Sequence, residues 1–295
     1  MTQQSKLGAA WGIRLKNFPP VIRFDYPFNT LVVSLTGSSC ELNCAHCGGY
    51  YLRHMVPVWE ATSTVATSCL ISGGCDTRGR VPVTTHLDAV GRLRPGKIMN
   101  WHSGLIGQDE AKAIAGYVDV FSFDFVGDDQ AIAEVYGLEA GVKDYIETYR
   151  LLRSFALVVP HITVGLRGGQ LCGEYRALEI LDELGADALT FIVLIPTPGT
   201  RYANCEPPPP AAVADLIATA RLRFPSTPLH LGCMRPRGAY RDELDALAVQ
   251  AGVNAIVSPS RAAVTLAEGL GLVAERSEEC CAVTLKRKVD YERGV

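Results

Sequence analysis

The chain has 295 residues, 48% of them hydrophobic and 20% charged, with a formal net charge of −3. That composition builds a large core and excludes a disordered chain, and the small net charge gives no electrostatic case for nucleic acid. No apolar run reaches the roughly 18 residues of a membrane span, and the first residues lack the continuous apolar stretch of a secretion signal. Ten cysteines in that context point to a reducing, cytoplasmic setting in which thiols serve metals or catalysis rather than disulfides.

In chain order, short apolar runs rich in β-branched and aromatic residues alternate with amphipathic stretches. The runs at 31–37, 68–73, 97–102, 118–125, 161–166, 188–195, 229–234 and 255–258 read as buried parallel strands. Helical patterns fill 109–117, 142–155, 175–184, 211–223, 241–250 and 261–270, several stopping at Gly or just before Pro or Gly. Eight strands alternating with helices predict an α/β (β/α)8 barrel, with a partly open barrel as the variant if the last strand fails. The expected organisation is an N-terminal extension (1–29), a barrel (30–270) and a charged C-terminal extension (271–295) that caps a barrel mouth. Pro207 to Pro210 read as a rigid stop before a helix.

Chemistry in such barrels sits at the C-terminal ends of the strands. Directly after the first expected strand, Cys40, Cys44 and Cys47 stand at the spacing C-x3-C-x2-C. Three thiolates can hold three irons of a [4Fe–4S] cube and leave the fourth open to a ligand. The alternative is structural zinc, which prefers paired C-x2-C knuckles; no second knuckle follows. Ser72, Gly73 and Gly74 end the second expected strand, where glycine lets backbone approach a ligand closely. Asp124 closes the fourth, and a carboxylate there can accept hydrogen bonds from ribose hydroxyls; Asp128 and Asp129 are better placed as helix caps.

These residues resemble the radical S-adenosylmethionine (SAM) superfamily. The resemblance implies that the cube's open iron binds SAM, with His46 near the adenine and Gly73 and Gly74 along the methionine end. The segment from Val164 through Gly165, Arg167 and Glu174, and the run from Ile195 to Thr200, resemble the SAM-binding elements of the biotin synthase-like branch. Asp124 takes the ribose position of that branch. The stretches around Cys40 to Met55, Leu70 to Asp76 and Leu231 to Pro236 are similar to subunits of two-component lipoyl synthases. That likeness implies sulfur insertion into an octanoyl chain on a carrier-protein lysine. It also implies a paralogous partner subunit in a heterodimer, an octanoylated carrier protein and a ferredoxin or flavodoxin as reductant.

Of the remaining cysteines, Cys75, Cys233, Cys280 and Cys281 are expected to meet at the C-terminal mouth and ligate an auxiliary [4Fe–4S] cluster that supplies sulfur. Arg235 or Arg237 would neighbour that cluster or clamp a carboxylate. Cys69 reads as a buried small hydrophobe, and Cys172 and Cys205 as incidental. His54, His86 and His230 read as surface or packing residues; His102 and His161 are cavity-lining or core histidines. The competing readings are another biotin synthase-like reaction (methylation, cyclisation or rearrangement) and a non-catalytic Fe–S partner subunit.

Overall fold

A computed structural model describes residues 2–62 and 65–293, with side chains through residue 287. Helix α1 (Gln3–Asn17) leads into strands β1 (Val21–Asp25), β2 (Thr30–Ser34) and the two-residue β3 (Val56–Pro57). Then follow β4 (Ser68–Ser72), α2 (Leu87–Leu93), β5 (Ile98–Trp101), α3 (Gln108–Ile114) and β6 (Val120–Asp124). Helix α4 (Asp129–Ala131), extended by a π-turn over Ile132–Tyr136, precedes α5 (Val142–Arg153), β7 (Leu157–Val164), α6 (Glu174–Leu184) and β8 (Leu189–Val193). The chain ends with α7 (Pro210–Arg223), β9 (Leu229–Leu231), α8 (Ala239–Gln250), β10 (Ala255–Val257), α9 (Arg261–Gly269), β11 (Val273–Ser277) and α10 (Cys281–Arg293).

The strands form one sheet in the order β11-β1-β10-β9-β8-β7-β6-β5-β4-β2-β3, and every pair is parallel. The architecture is a partly open, TIM-like parallel barrel: β11 and β3 end the sheet without pairing to each other among the described residues. All eight expected strands are present, as β2, β4 and β5 through β10.

Three differences from the sequence reading have physical causes. The barrel does not stop at 30 and 270, because β1 and β11 extend the sheet beyond both limits. Both strands carry charges (Arg23, Asp25, Glu275, Arg276), and β11 is largely exposed, so neither shows the apolar run of a buried strand. Strand β7 begins at Leu157 rather than 161, and Pro160 sits within it opposite Phe123. Proline has no N–H for the ladder and normally marks an edge or a boundary.

The third difference concerns the C-terminal extension. It does not cap the C-terminal mouth; α10 packs into the opposite end of the barrel. Ala282 and Leu285 bury against Val120, Val159 and Ala188, near the starts of β6, β7 and β8. The adjoining Glu279 carboxylate accepts hydrogen bonds from Thr67 and Ser68, and from Thr30 at the start of β2 (3.4 Å). Those barrel-floor groups need a cover, and the apolar face of α10 supplies it.

Period-two alternation sorts each strand into an outer and an inner face. On β6, Phe121 and Phe123 are buried in the main core, Phe123 against Tyr145 and Tyr149 of α5. The alternate residues climb the barrel interior. Val120 meets α10, Ser122 donates to Asn100 Oδ1 at 3.0 Å, and Asp124 emerges at the top with an exposed side chain. This ladder positions the site.

Candidate active site

The cysteine loop is stitched to three neighbours. Ser34 Oγ donates to the Gly37 carbonyl (2.6 Å) and Thr36 Oγ1 to that of Ser39 (2.8 Å), closing the turn out of β2. Thr36 Oγ1 also accepts from Gly74 N–H (2.7 Å), and Glu41 N–H donates to the Cys75 carbonyl (2.9 Å), tying the loop to the end of β4. Ala45 N–H donates to Val135 C=O (2.7 Å) and Tyr202 N–H to Ala45 C=O (2.9 Å), which ties it to the π-turn and the loop after β8. A side chain on Gly74 has no room: its Cβ would lie 1.9 Å from the Ser39 carbonyl oxygen and 2.6 Å from Cys40 Cα. Gly73 is less crowded, its nearest contacts being Thr36 and Val81 at 3.3 Å.

Cys40, Cys44 and Cys47 lie within electrostatic reach of one another. Burial, and then the other two thiols, push Cys44 up to about 12, with Arg201 opposing; burial also raises Cys47. Desolvated thiols such as Cys44 and Cys47 are poor thiolates alone and good ligands for a cationic centre that offsets their charge. Among the described residues, no three His, Cys, Asp or Glu side chains are grouped to hold a single ion. Three thiols on one loop could each hold one iron of a cube.

Around these thiols stand the other residues expected at the site. His46 meets Tyr136 edge-on at 5.8 Å, and its Nδ1 is buried without a hydrogen-bond partner. Burial lowers its pKa to about 4, so the ring is neutral. Asp124 faces the loop from β6: its charge acts on His46, Cys75, His102 and His161. Ser72 Oγ donates to the His102 carbonyl (3.3 Å). His102 and His161, with ring centroids 5.5 Å apart, belong to the same upper layer of the interior and are held neutral by burial.

The segment after β7 is arranged differently. Gly165 (φ +73°) donates its N–H to the buried Glu174 Oε1 at 2.7 Å, and a Cβ there would lie 2.6 Å from Pro208 Cδ. Glu174 therefore braces this turn, leaving Oε2 unpartnered beside a cleft lined by Phe125, Ile162 and Thr163. Arg167 is engaged outward, with Glu134 (2.6 Å) and Gln130 (3.0 Å). Ile195 is half-buried at the end of β8, its carbonyl accepting from Thr197 Oγ1 (3.0 Å). Tyr136 and Tyr145, which sense both Asp124 and Cys75, were not singled out by the sequence. Their signal is tertiary, since each is one aromatic in an ordinary helical stretch.

The four thiols expected to meet at the C-terminal mouth are divided. Cys75 lies with Cys40 and Cys44. Cys280 and Cys281 enter from below on α10: Asn100 Nδ2 donates to Cys280 Sγ (3.4 Å), and Cys281 Sγ lies 3.9 Å from Thr190 Oγ1. Cys233, just after β9, is solvent-accessible and within electrostatic reach of Cys281 and Tyr51. The correction follows from the direction in which α10 enters the barrel. Arg235 is also reassigned: it is fully buried, paired with Asp245 at 2.6 and 2.9 Å, and donates to the Gly232 carbonyl. Arg237 is exposed. Cys69 is buried, Cys172 exposed and Cys205 half-buried.

No protein-family model and no curated protein sequence matches the chain. Solved structures of similar fold include the following two. Methylornithine synthase (PylB) superposes with a TM-score of 0.67 at 13% identity, over 99% of this chain and 92% of its own. The FeFe-hydrogenase maturase HydG from Carboxydothermus hydrogenoformans gives 0.68 at 13% identity, over 98% of this chain and 78% of its own. At such identity the likeness shows a shared barrel.

Proposed function

We propose that the chain is a radical SAM enzyme. The observation that carries this reading is the Cys40-Cys44-Cys47 loop, seated on Gly74 at the C-terminal end of the barrel and facing Asp124. Both solved neighbours are radical SAM enzymes of the biotin synthase-like branch, which supports it. Cys40, Cys44 and Cys47 would hold a [4Fe–4S] cluster, and His46, Ser72, Gly73, Gly74 and Asp124 would contact SAM. When bound, these groups supply a carbon radical able to take hydrogen from an unactivated C–H bond. The chain's own part is to position and shield. The three-way stitching of the loop fixes the thiols, α10 closes the barrel floor against water, and Asp124 offers its carboxylate to ribose hydroxyls.

The finer reading is sulfur insertion of the lipoyl-synthase kind, on octanoyl-lysine of a carrier protein, with a paralogous partner subunit and a ferredoxin or flavodoxin as reductant. Its support is the sequence likeness given above; of the thiols expected to hold an auxiliary cluster, Cys233 and Cys281 are within electrostatic reach of each other. A second reading, another biotin synthase-like reaction on a polar substrate, is favoured by the polar upper lining of Ser72, His102, Asp124 and His161. Anaerobic reconstitution tests the first level. About four irons per chain and reductive release of 5′-deoxyadenosine are expected, and about eight irons if there are two cubes. Release of 5′-deoxyadenosine from a variant with Cys40, Cys44 and Cys47 all changed to Ala would refute the assignment. Thiolated product from an octanoyl-lysyl peptide, lost in Cys233→Ala while SAM cleavage persists, separates sulfur insertion from the second reading.

A further inference from the structure

Cys75 is the fourth thiol of the upper site. It follows Gly74, the residue whose missing side chain lets the backbone of Ser39 and Cys40 come within van der Waals distance. Its carbonyl accepts from Glu41 N–H (2.9 Å) and from Cys40 Sγ (3.8 Å), so the two chain segments run side by side. Its thiol is half-buried, and its electrostatic neighbours are Cys40, Cys44 and Asp124, with Tyr136 and Tyr145 close by. Its Sγ makes no hydrogen bond among the described residues. Cys75 is thus within electrostatic reach of both the three-cysteine loop and Asp124.

Three thiolates on a cube leave one iron without a protein ligand, and a fourth thiol stands beside them. We propose that Cys75 ligates this fourth iron in the SAM-free enzyme and is displaced when SAM binds. The inference rests on the radical SAM reading above. The exchange is a ligand substitution. The bond between iron and Cys75 Sγ breaks, bonds to the SAM amino nitrogen and carboxylate oxygen form, and the proton lost by the SAM ammonium as its nitrogen binds is taken up by the released thiolate. No electron is transferred. Cys75 would thereby guard the open iron until SAM arrives, and SAM would compete with an internal ligand for its place.

The test compares wild type, Cys75→Ala and Cys75→Ser after anaerobic reconstitution, with iron content measured first. Each is oxidised with substoichiometric ferricyanide, with and without saturating SAM, and the three-iron cluster is quantified by electron paramagnetic resonance. Without SAM, Cys75→Ala should form several-fold more three-iron cluster than wild type. With SAM bound, the two should match. SAM affinity measured by equilibrium dialysis should be several-fold tighter in Cys75→Ala, because the competitor is gone. Equal three-iron fractions without SAM would overturn the proposal. So would failure of Cys75→Ala to hold any cluster while its circular dichroism is native, which would make Cys75 a permanent ligand. The underlying reading fails separately, if the variant lacking Cys40, Cys44 and Cys47 retains the wild-type cluster.

Discussion

Gly74 and Cys40 are packed so closely that a methyl group on Gly74 would lie 2.7 Å from Cys40 Cβ. The glycine pair after β4 has a role apart from any ligand: it is the seat of the cysteine loop. Gly74→Ala should therefore destabilise the chain by about 1–3 kcal/mol, the usual cost of overpacking, and lower the iron retained after reconstitution. Gly73→Ala, with nothing nearer than 3.3 Å, should cost less on both measures. Equal effects would show that the loop is not seated on Gly74.

Asp124→Ala should weaken SAM binding by roughly tenfold or more, the equivalent of about 1–3 kcal/mol of lost hydrogen bonding. Iron content should stay at the wild-type level, because the carboxylate is a proposed SAM contact and not one of the thiols. Equilibrium dialysis and iron analysis on the same preparation check both halves.

Stability should depend on pH through His161. Burial and the neighbouring His102 depress its pKa from 6.5 to about 4, against the opposing charge of Asp124. The unfolded chain then binds a proton that the native state refuses between about pH 6.5 and 4. Stability falls as pH falls through that window and levels below it, by a total on the order of 3 kcal/mol for this residue. Denaturant midpoints from pH 7 to 4.5 should show a shallower slope in His161→Asn; an unchanged slope would assign the effect to other groups.

The buried pair Arg235 and Asp245 is structural. Asp245 also accepts from Ser260 N–H (2.8 Å), so it links β9, α8 and the start of α9. Asp245→Ala should cost about 3–5 kcal/mol, because it strands a buried guanidinium. A joint Arg235→Met, Asp245→Leu replacement should recover much of that loss, as read from thermal midpoints.

Glu279 holds α10 in place through Thr67, Ser68 and Arg287 (2.7 Å). Glu279→Ala should cost roughly 1–3 kcal/mol, because it leaves buried hydroxyls without their acceptor. Arg287→Ala, at a half-exposed side chain, should cost about 1 kcal/mol or less. Faster hydrogen exchange along Ala282 to Leu285 in the first variant would report loosening of the plug.

The strands of this barrel were legible wherever they are short, mostly apolar and rich in β-branched or aromatic residues, as in β4 through β8. The cysteine loop was legible from its spacing, and the strand-end positions of Gly73, Gly74 and Asp124 from the rule that sites lie at the C-terminal ends of barrel strands. What escaped was information carried by distant partners. β1 and β11 are strands because they pair with each other, and β1 also with β10, not because VIRFD or VAERS looks like one. Nothing local in CAVTL tells which end of a barrel that helix will enter, so Cys280 and Cys281 were expected at the wrong end. Arg235 reads as a site cation until Asp245 is seen beside it.

The pairing of β1 with β10 and β11 also orders the birth of the fold. Strand β1, the earliest strand described, finds its sheet partners only in β10 and β11, far along the chain. The α/β units from β2 to β10 can assemble in sequence, each from near neighbours, while the N-terminal segment waits. Closing that contact carries a large loop-entropy cost and tends to be slow. The edge of β10 is therefore the surface a folding chain most needs to keep from wrong partners until β1 docks on it.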